Sequence, residues 1–404
     1  MEEWKEYRLE DLCKGRGTYG IGASAVPYDK SKYTYLRITD INDDGTINKK
    51  GLLSVDSPEA CNYVLSKNDI VFARTGNSTG RSYFYDGTDG VLVYAGFLIK
   101  FSLDEKKVNP RILKYYTHSN KYYDWVNSFN TGSTRGNINA QTYGNMPILL
   151  PPRAIQDKIV SILSSLDDKI ELNRRINDNL EQQAQALFKS WFVDFEPWGG
   201  KMPDDWREGN LGDVIIEVES GSRPKGGAEI LGIPSIGAEK IESFGAYNYS
   251  GEKYVSVDFY SKMKRGHVKD GDVMLYKDGA YTGKCSMALD GFPYENCAVN
   301  EHVFLLRTRK SKYQLYLYLT MTQADIRSMI HTLACAKAAQ PGLNTSELLG
   351  VETIVPTEDI IAKFNSLVFD MMHAIANNAI ENHRLAQLRD TLLPKLMSGE
   401  LKIS

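Results

Sequence analysis

The sequence predicts an α+β protein in which two β-rich domains are joined and spaced by two long antiparallel coiled-coil helices, with internal pseudo-two-fold symmetry. Three observations carry this. The chain repeats itself once. Each repeat ends in a segment whose apolar residues recur at helical spacing. The segments before those helices are cut by glycine-rich turns into short β-branched and aromatic runs. The 404 residues suit two or three domains at about 100–200 residues each, and a 42% hydrophobic content lets each bury a core.

The repeat shows at three places. Trp4, Glu6, Leu9 and Asp11 return 202 residues later as Trp206, Glu208, Leu211 and Asp213. Asp69–Arg81 (DIVFARTGNSTGR) matches Asp272–Lys284 (DVMLYKDGAYTGK) at an offset of 203, with Gly76, Thr79 and Gly80 returning as Gly279, Thr282 and Gly283. Pro151–Phe188 matches Pro356–Leu393 at an offset of 205, and Ile155, Lys158, Ser161, Ile170, Asn173, Asn177 and Leu180 all have counterparts there. Three matches in one order, with hardly any drift in offset, mark a duplication.

In chain order, residues 1–150 form the first β-rich domain. Val91–Phe101 reads as strand and Pro110–Phe129 as an interrupting helix. Residues 151–195 form the first spacer helix. Ile159, Ile162, Leu166, Ile170, Asn173, Ile176, Leu180, Ala184, Leu187 and Trp191 step by 3 or 4, a single apolar seam. Residues 196–205, with Pro197, Gly199 and Gly200, stop that helix and form a linker. Residues 206–355 are the second β-rich domain, with a strand over Ala298–Arg307 and a helix over Tyr313–Leu333. Residues 356–404 are the second helix, whose seam runs through Phe364, Leu367, Met371, Ile375, Asn378, Glu381, Leu385, Leu388 and Leu392. Each helix can bury one stripe only, so the two are expected to pack on each other antiparallel. Asn173 and Asn378 are equivalent seam positions near mid-helix. They are expected to meet, or nearly meet, beside the symmetry axis and fix the register of the helix pair.

The bulk composition narrows the function. The net charge is −3, and residues 1–150 hold 19 Lys/Arg against 17 Asp/Glu while residues 201–355 hold 18 against 20. A strong free-standing nucleic-acid binder is more basic, so any DNA reading here would lean on partners for phosphate contact. The five cysteines have no C-x-x-C spacing and read as reduced thiols. The charged N-terminus and the lack of an apolar run of about 18 residues point to a cytoplasmic protein with no membrane association. The 24 tyrosines suit binding surfaces as well as sheet and core filling.

Several stretches then carry a resemblance. Leu150–Ile159 (LPPRAIQDKI), Phe188–Pro197 (FKSWFVDFEP), Pro203–Trp206 (PDDW) and Leu392–Leu401 (LLPKLMSGEL) resemble conserved segments of the specificity subunits of type I restriction–modification systems. The resemblance spans essentially the whole chain. One departure stands in the second half, where Ile361 occupies the position of the glutamine, Gln156, of the first. The resemblance implies that each β-rich domain is a target-recognition domain reading one half of a split, asymmetric site on double-stranded DNA. The helices would act as ruler and as dock for two methylation subunits. Those subunits would methylate adenine with S-adenosylmethionine, and separate restriction subunits would translocate and cut DNA with ATP. This chain itself would hold no catalytic residue, cofactor or metal.

Within that frame the repeated loops are the DNA-binding candidates. A helix of about forty residues is roughly 60 Å long, against about 34 Å for one turn of B-DNA, so two spaced domains can read separate stretches of one duplex. Arg74, Asn77, Ser78, Thr79 and Arg81 in the first loop, and Lys277, Tyr281, Thr282 and Lys284 in the second, combine hydrogen-bonding groups with cations beside glycines that permit close backbone approach. A second loop pair adds Arg135, Asn137, Lys337 and Gln340. The same residues also suit ordinary solvated turns.

Two other classes were weighed. A DNA adenine methyltransferase would need a cofactor loop; Gly15–Gly20 fits G-x-G-x-x-G, but no helix opens after it. No Asn-Pro-Pro-aromatic tetrad is present, and the six histidines have no metal-ligand spacing. Asp278 and Glu301 are carboxylates that nothing in the sequence pairs. A coiled-coil scaffold with no nucleic-acid role would leave the repeated loops unexplained.

Overall fold

Short β-branched and aromatic runs, closed by Gly, Asn and Asp turns, fold in matching ways in both halves of the chain. The computed structural model describes residues 4–129, 136–309, 313–336 and 341–402. It divides into two units, one of residues 1–167 with 387–404 and one of residues 168–386. Each unit therefore holds one β-rich domain together with part of both long helices.

In the first unit one four-stranded sheet runs Thr18–Tyr19, Leu98–Ser102, Asp69–Ala73, Ser82–Tyr85, all antiparallel. In the second the order is Ile215–Ser220, Val303–Thr308, Val273–Tyr276, Cys285–Met287, again antiparallel. A further sheet in each unit contains a parallel pair, Tyr33–Leu36 beside Leu92–Tyr94 and Ile233–Ile236 beside Ala298–Val299. A ribbon joins the two ends of each domain, Lys5–Arg8 with Pro147–Leu150 and Arg207–Asn210 with Glu352–Val355. The strand orders of the two antiparallel sheets coincide, so the sequence repeat is a repeat of structure.

The expected single strands are each two. Val91–Phe101 bends at Ala95–Phe97, where Leu98 N–H donates to Ala95 O at 2.8 Å, and its halves enter different sheets. Ala298–Arg307 bends in the same way at Asn300–His302. The expected helices also divide. Pro110–Phe129 becomes Arg111–Tyr116 and Asn120–Asn127, because the Ser119 hydroxyl accepts from Tyr122 N–H and starts a new helix. Tyr313–Leu333 becomes Gln314–Thr322 and Ala324–Cys335. Tyr122, Tyr143, Tyr316 and Tyr318 are among the largest fully buried side chains, so much of the tyrosine content fills the cores.

The two long helices are Arg153–Phe192 and Glu358–Ser398. Gln156 explains the opening of the first. Its side chain is buried, accepts from Asn109 N–H at 3.0 Å and donates to Pro151 O at 2.9 Å, locking helix to domain. Its counterpart Ile361 is buried in an apolar core instead. The expected linker is folded. Trp198 packs edge-on against Trp191 at 5.5 Å and Trp206 at 4.8 Å, with Phe195, Gly199 and Gly200 in the left-handed region turning the chain.

Within the second unit the helices run antiparallel, and asparagines from both line their contact. Asn173, fully buried, donates to Asn382 Oδ1 at 3.0 Å and Glu381 Oε2 at 2.7 Å. Asn378 donates to Asn177 Oδ1 at 2.9 Å, and Asn177 donates to Ile375 O at 3.1 Å. Asn173 and Asn378 thus do not bond to each other; each bonds to the asparagine one helical turn beyond its counterpart, Asn173 to Asn382 and Asn378 to Asn177. The reason is the position of the symmetry axis. It passes between Asn173 and Asn177 rather than through either, and four asparagines flank it.

Candidate nucleic-acid interface

The two repeated loops have one backbone. Arg74 N–H donates to Phe97 O and Lys277 N–H to His302 O, each at 3.1 Å. Ile138 N–H closes on Arg74 O at 2.9 Å, and Leu343 N–H on Lys277 O at 3.0 Å. The Thr79 hydroxyl donates to Gly76 O at 2.8 Å, as the Thr282 hydroxyl does to Gly279 O at 2.7 Å. Bridges Thr75–Asn137 and Asp278–Gly342 seat the second loop of each pair against the first. The loops separated by some sixty residues in sequence therefore form one surface in each unit. Gly80 is required there. Its φ is +89°, and a Cβ would stand 2.5 Å from Val126 Cγ1.

This scaffold uses up some of the candidates. Ser78 and Thr282 are buried, so their hydroxyls are withheld from the surface. The Thr79 hydroxyl also reaches Gly136 O at 3.0 Å, tying the two loops together. Arg81 is held by Asp43 at 2.6 Å and Ile41 O at 3.0 Å. These four were candidates from residue type alone; their geometry makes them parts of the frame. Arg135, Lys337 and Gln340 lie outside the described residues.

What the first unit presents is Arg74, Asn77 and Asn137 between two aromatics. The Arg74 guanidinium sits over the Tyr19 ring at 5.1 Å, and its Nε has no hydrogen-bond partner. Tyr19 and Phe97 are exposed. Neither aromatic stands out in the sequence, because Tyr19 lies inside the glycine motif and Phe97 inside an apolar run. The motif itself is packing. A Cβ on Gly17 would meet the Phe101 ring at 2.5 Å, and one on Gly20 the Tyr94 and Ala95 carbonyls at 2.3 Å.

The second unit presents different chemistry on the same frame. Lys277 pairs with Asp278, and its Nζ lies 5.3 Å from the Phe304 ring centroid. His302, at the position of Phe97, places Nδ1 3.1 Å from Asp278 Oδ2 and Nε2 3.4 Å from Glu301 Oε1. Arg223 Nη2 approaches Glu301 Oε1 at 3.3 Å. The two carboxylates that the sequence left unpaired are thus bridged by one imidazole. Tyr281 is exposed, and Lys284 lies over its ring at 4.4 Å.

All five cysteines are free, and burial pushes the thiols of Cys13, Cys285 and Cys297 up to about 12, which keeps them protonated and poorly nucleophilic. Among the described residues no three His, Cys, Asp or Glu side chains converge as metal ligands, and no helix is long and apolar enough to cross a membrane.

The chain is similar to known proteins along its length. The family described as type I restriction modification DNA specificity domain matches residues 1–182. The HindI type I restriction enzyme specificity subunit of Haemophilus influenzae is 25% identical, covering 99% of this chain and 100% of that one. The MjaIX specificity subunit of Methanocaldococcus jannaschii is 27% identical, covering 72% of this chain and 68% of that one. A crystal structure of a type I restriction–modification S subunit from M. genitalium superposes with a TM-score of 0.60 at 16% identity, covering 98% and 96% of the two chains, and so shares the fold. Residues 1–182 match the type I DNA specificity domain family, and the chain along its length is similar to specificity subunits of type I restriction enzymes.

Proposed function

We propose that this chain is the DNA-reading subunit of a type I restriction–modification enzyme, in which each β-rich domain reads one half of a bipartite, asymmetric site. One observation carries the reading: a single loop frame, hydrogen bond for hydrogen bond, is used twice with different side chains on its surface. A frame that holds position while the exposed groups diverge suits two half-sites read in one manner. Arg74, Asn77 and Asn137 would serve one domain; Lys277, Tyr281 and Lys284 would serve the other. Direct base readout needs this mixture of charged and amide groups on a fixed backbone.

The long helices would set half-site spacing and dock two methylation subunits. Leu172, Ile176, Leu367 and Phe369 are exposed on them, apolar side chains suited to protein partners, and Ile176 and Leu367 thus lie outside the buried seam expected for them. Restriction subunits would join that assembly in the cytoplasm. The chain would supply recognition, and its partners the chemistry and the cofactors.

The purified chain alone is accordingly expected to transfer no labelled methyl group from S-adenosylmethionine to DNA and to cut no DNA. Addition of its methylation subunits is expected to give methylation at one bipartite motif. Robust methyl transfer by the pure, lone chain would overturn the assignment.

A further inference from the structure

The second unit gathers cations beside its reading loop. Gly221 and Gly266 stand against each other, and a Cβ on Gly266 would lie 2.4 Å from Gly221 Cα. Both are pinned to one strand end. Gly221 N–H donates to Asn300 O at 3.2 Å, and Val299 N–H donates to Gly266 O at 2.9 Å. A Cβ on Gly221 would fall 1.5 Å from Val299 O, so only glycine permits this approach. Two segments leave this junction side by side, one carrying Arg223 and Lys225, the other Lys262, Lys264 and Arg265.

All five cations are exposed. Lys262 pairs with Asp258 at 2.7 Å and Arg223 with Glu301 at 3.3 Å. Lys225, Lys264 and Arg265 have no carboxylate partner among the described residues. A cleft lies between the segments, lined by Ser222, Phe259, Lys262, Met263, Lys264 and Arg265. The junction on Val299–Asn300 directly precedes Glu301 and His302, and the His302 ring reaches both Glu301 and Asp278 of the reading loop. In that loop Lys277 is neutralised by Asp278.

We propose that Lys225, Lys264 and Arg265 form a phosphate track that holds the DNA backbone beside the second reading loop, leaving that loop to read bases. The inference rests on the DNA-reading function proposed above. Exposed, uncompensated cations suit phosphates, which bind sequence-independently through release of counterions. The loop, with its charges internally paired, suits bases. Orientation and sequence reading are then divided between neighbouring surfaces of one domain.

The test is the triple variant Lys225→Gln, Lys264→Gln, Arg265→Gln in the assembled methyltransferase. Binding to a duplex carrying the enzyme's own methylated motif is measured across salt concentrations, and the motif is read by methylome sequencing. Loss of three phosphate contacts should flatten the slope of log affinity against log salt by about 2.7, at about 0.9 per contact. The motif should stay the same. A charge-retaining triple, Lys225→Arg, Lys264→Arg, Arg265→Lys, should keep the original slope and so separates charge from folding. An unchanged slope in the glutamine variant, or an altered motif, would overturn the proposal. So would loss of the methylation subunits in native mass spectrometry, which would make the track a protein dock. Failure of the unaltered assembly to methylate any defined motif would instead overturn the DNA-reading function itself.

Discussion

Asn173→Leu alone is expected to destabilise the second unit by about 1–3 kcal/mol, the cost of leaving buried polar partners unsatisfied. Asn173 is fully buried and donates to both Asn382 and Glu381, while Lys169 Nζ donates to its Oδ1 at 3.0 Å. The Asn173 amide, and after it Lys169, hold the Glu381 carboxyl below its ordinary value. A leucine at 173 strands Asn382 and weakens the hold on Glu381. Asn173→Leu with Asn382→Leu should recover most of the loss, because two apolar groups replace a satisfied polar pair at little cost. Thermal unfolding of the four species of that cycle is the measurement. The recovered variant should also loosen specificity. Polar seam residues penalise slipped registers, and a slip of one turn moves a helix about 5.4 Å along its partner. The assembled enzyme should then accept altered half-site spacings. Additive losses in the cycle, with spacing as strict as before, would assign the asparagines no register role.

Arg74→Ala and Lys277→Ala should each weaken DNA binding by the assembled methyltransferase while leaving folding largely intact. A lost base contact costs about 1–3 kcal/mol of discrimination and relaxes one motif position. The Arg74 guanidinium lies 5.1 Å from the Tyr19 ring and its Nε is buried without a hydrogen-bond partner, so a base contact would fall to its terminal nitrogens. Lys277→Ala acts differently, because it removes the cation that neutralises Asp278 and leaves a carboxylate beside the duplex. The two variants should therefore relax positions in opposite halves of the motif. Affinity, salt slope and motif all unchanged in both would return these residues to the class of solvated turns.

The layout of the molecule was legible where it depends on local pattern. Helical spacing of apolar residues marked both long helices to within a few residues, and the repeat correctly paired loop with loop. The strands were legible only as runs, since Val91–Phe101 divides between two sheets according to partners distant in sequence. The same limit applies to the interface. Ser78 and Thr282 are small polar residues in Gly-rich turns, and nothing in their type says that their side chains turn inward. The Asp278–His302–Glu301 bridge joins residues about two dozen positions apart that only the strand pairing of Val273–Tyr276 with Val303–Thr308 brings together. For the asparagines, the duplication states which residues are equivalent. It does not state where the axis crosses the helices, and a shift of half a turn changes every partner.

The most direct test of two independent readers is an exchange of residues 1–150 for the corresponding domain of a relative with a different motif. Methylome sequencing of cells carrying the hybrid, with its methylation subunits, reads the outcome at every genomic site. One half of the bipartite motif should change to the donor's half, with the other half and the spacing between them kept. Simultaneous change in both halves would contradict the account, because the two domains would then read the site jointly.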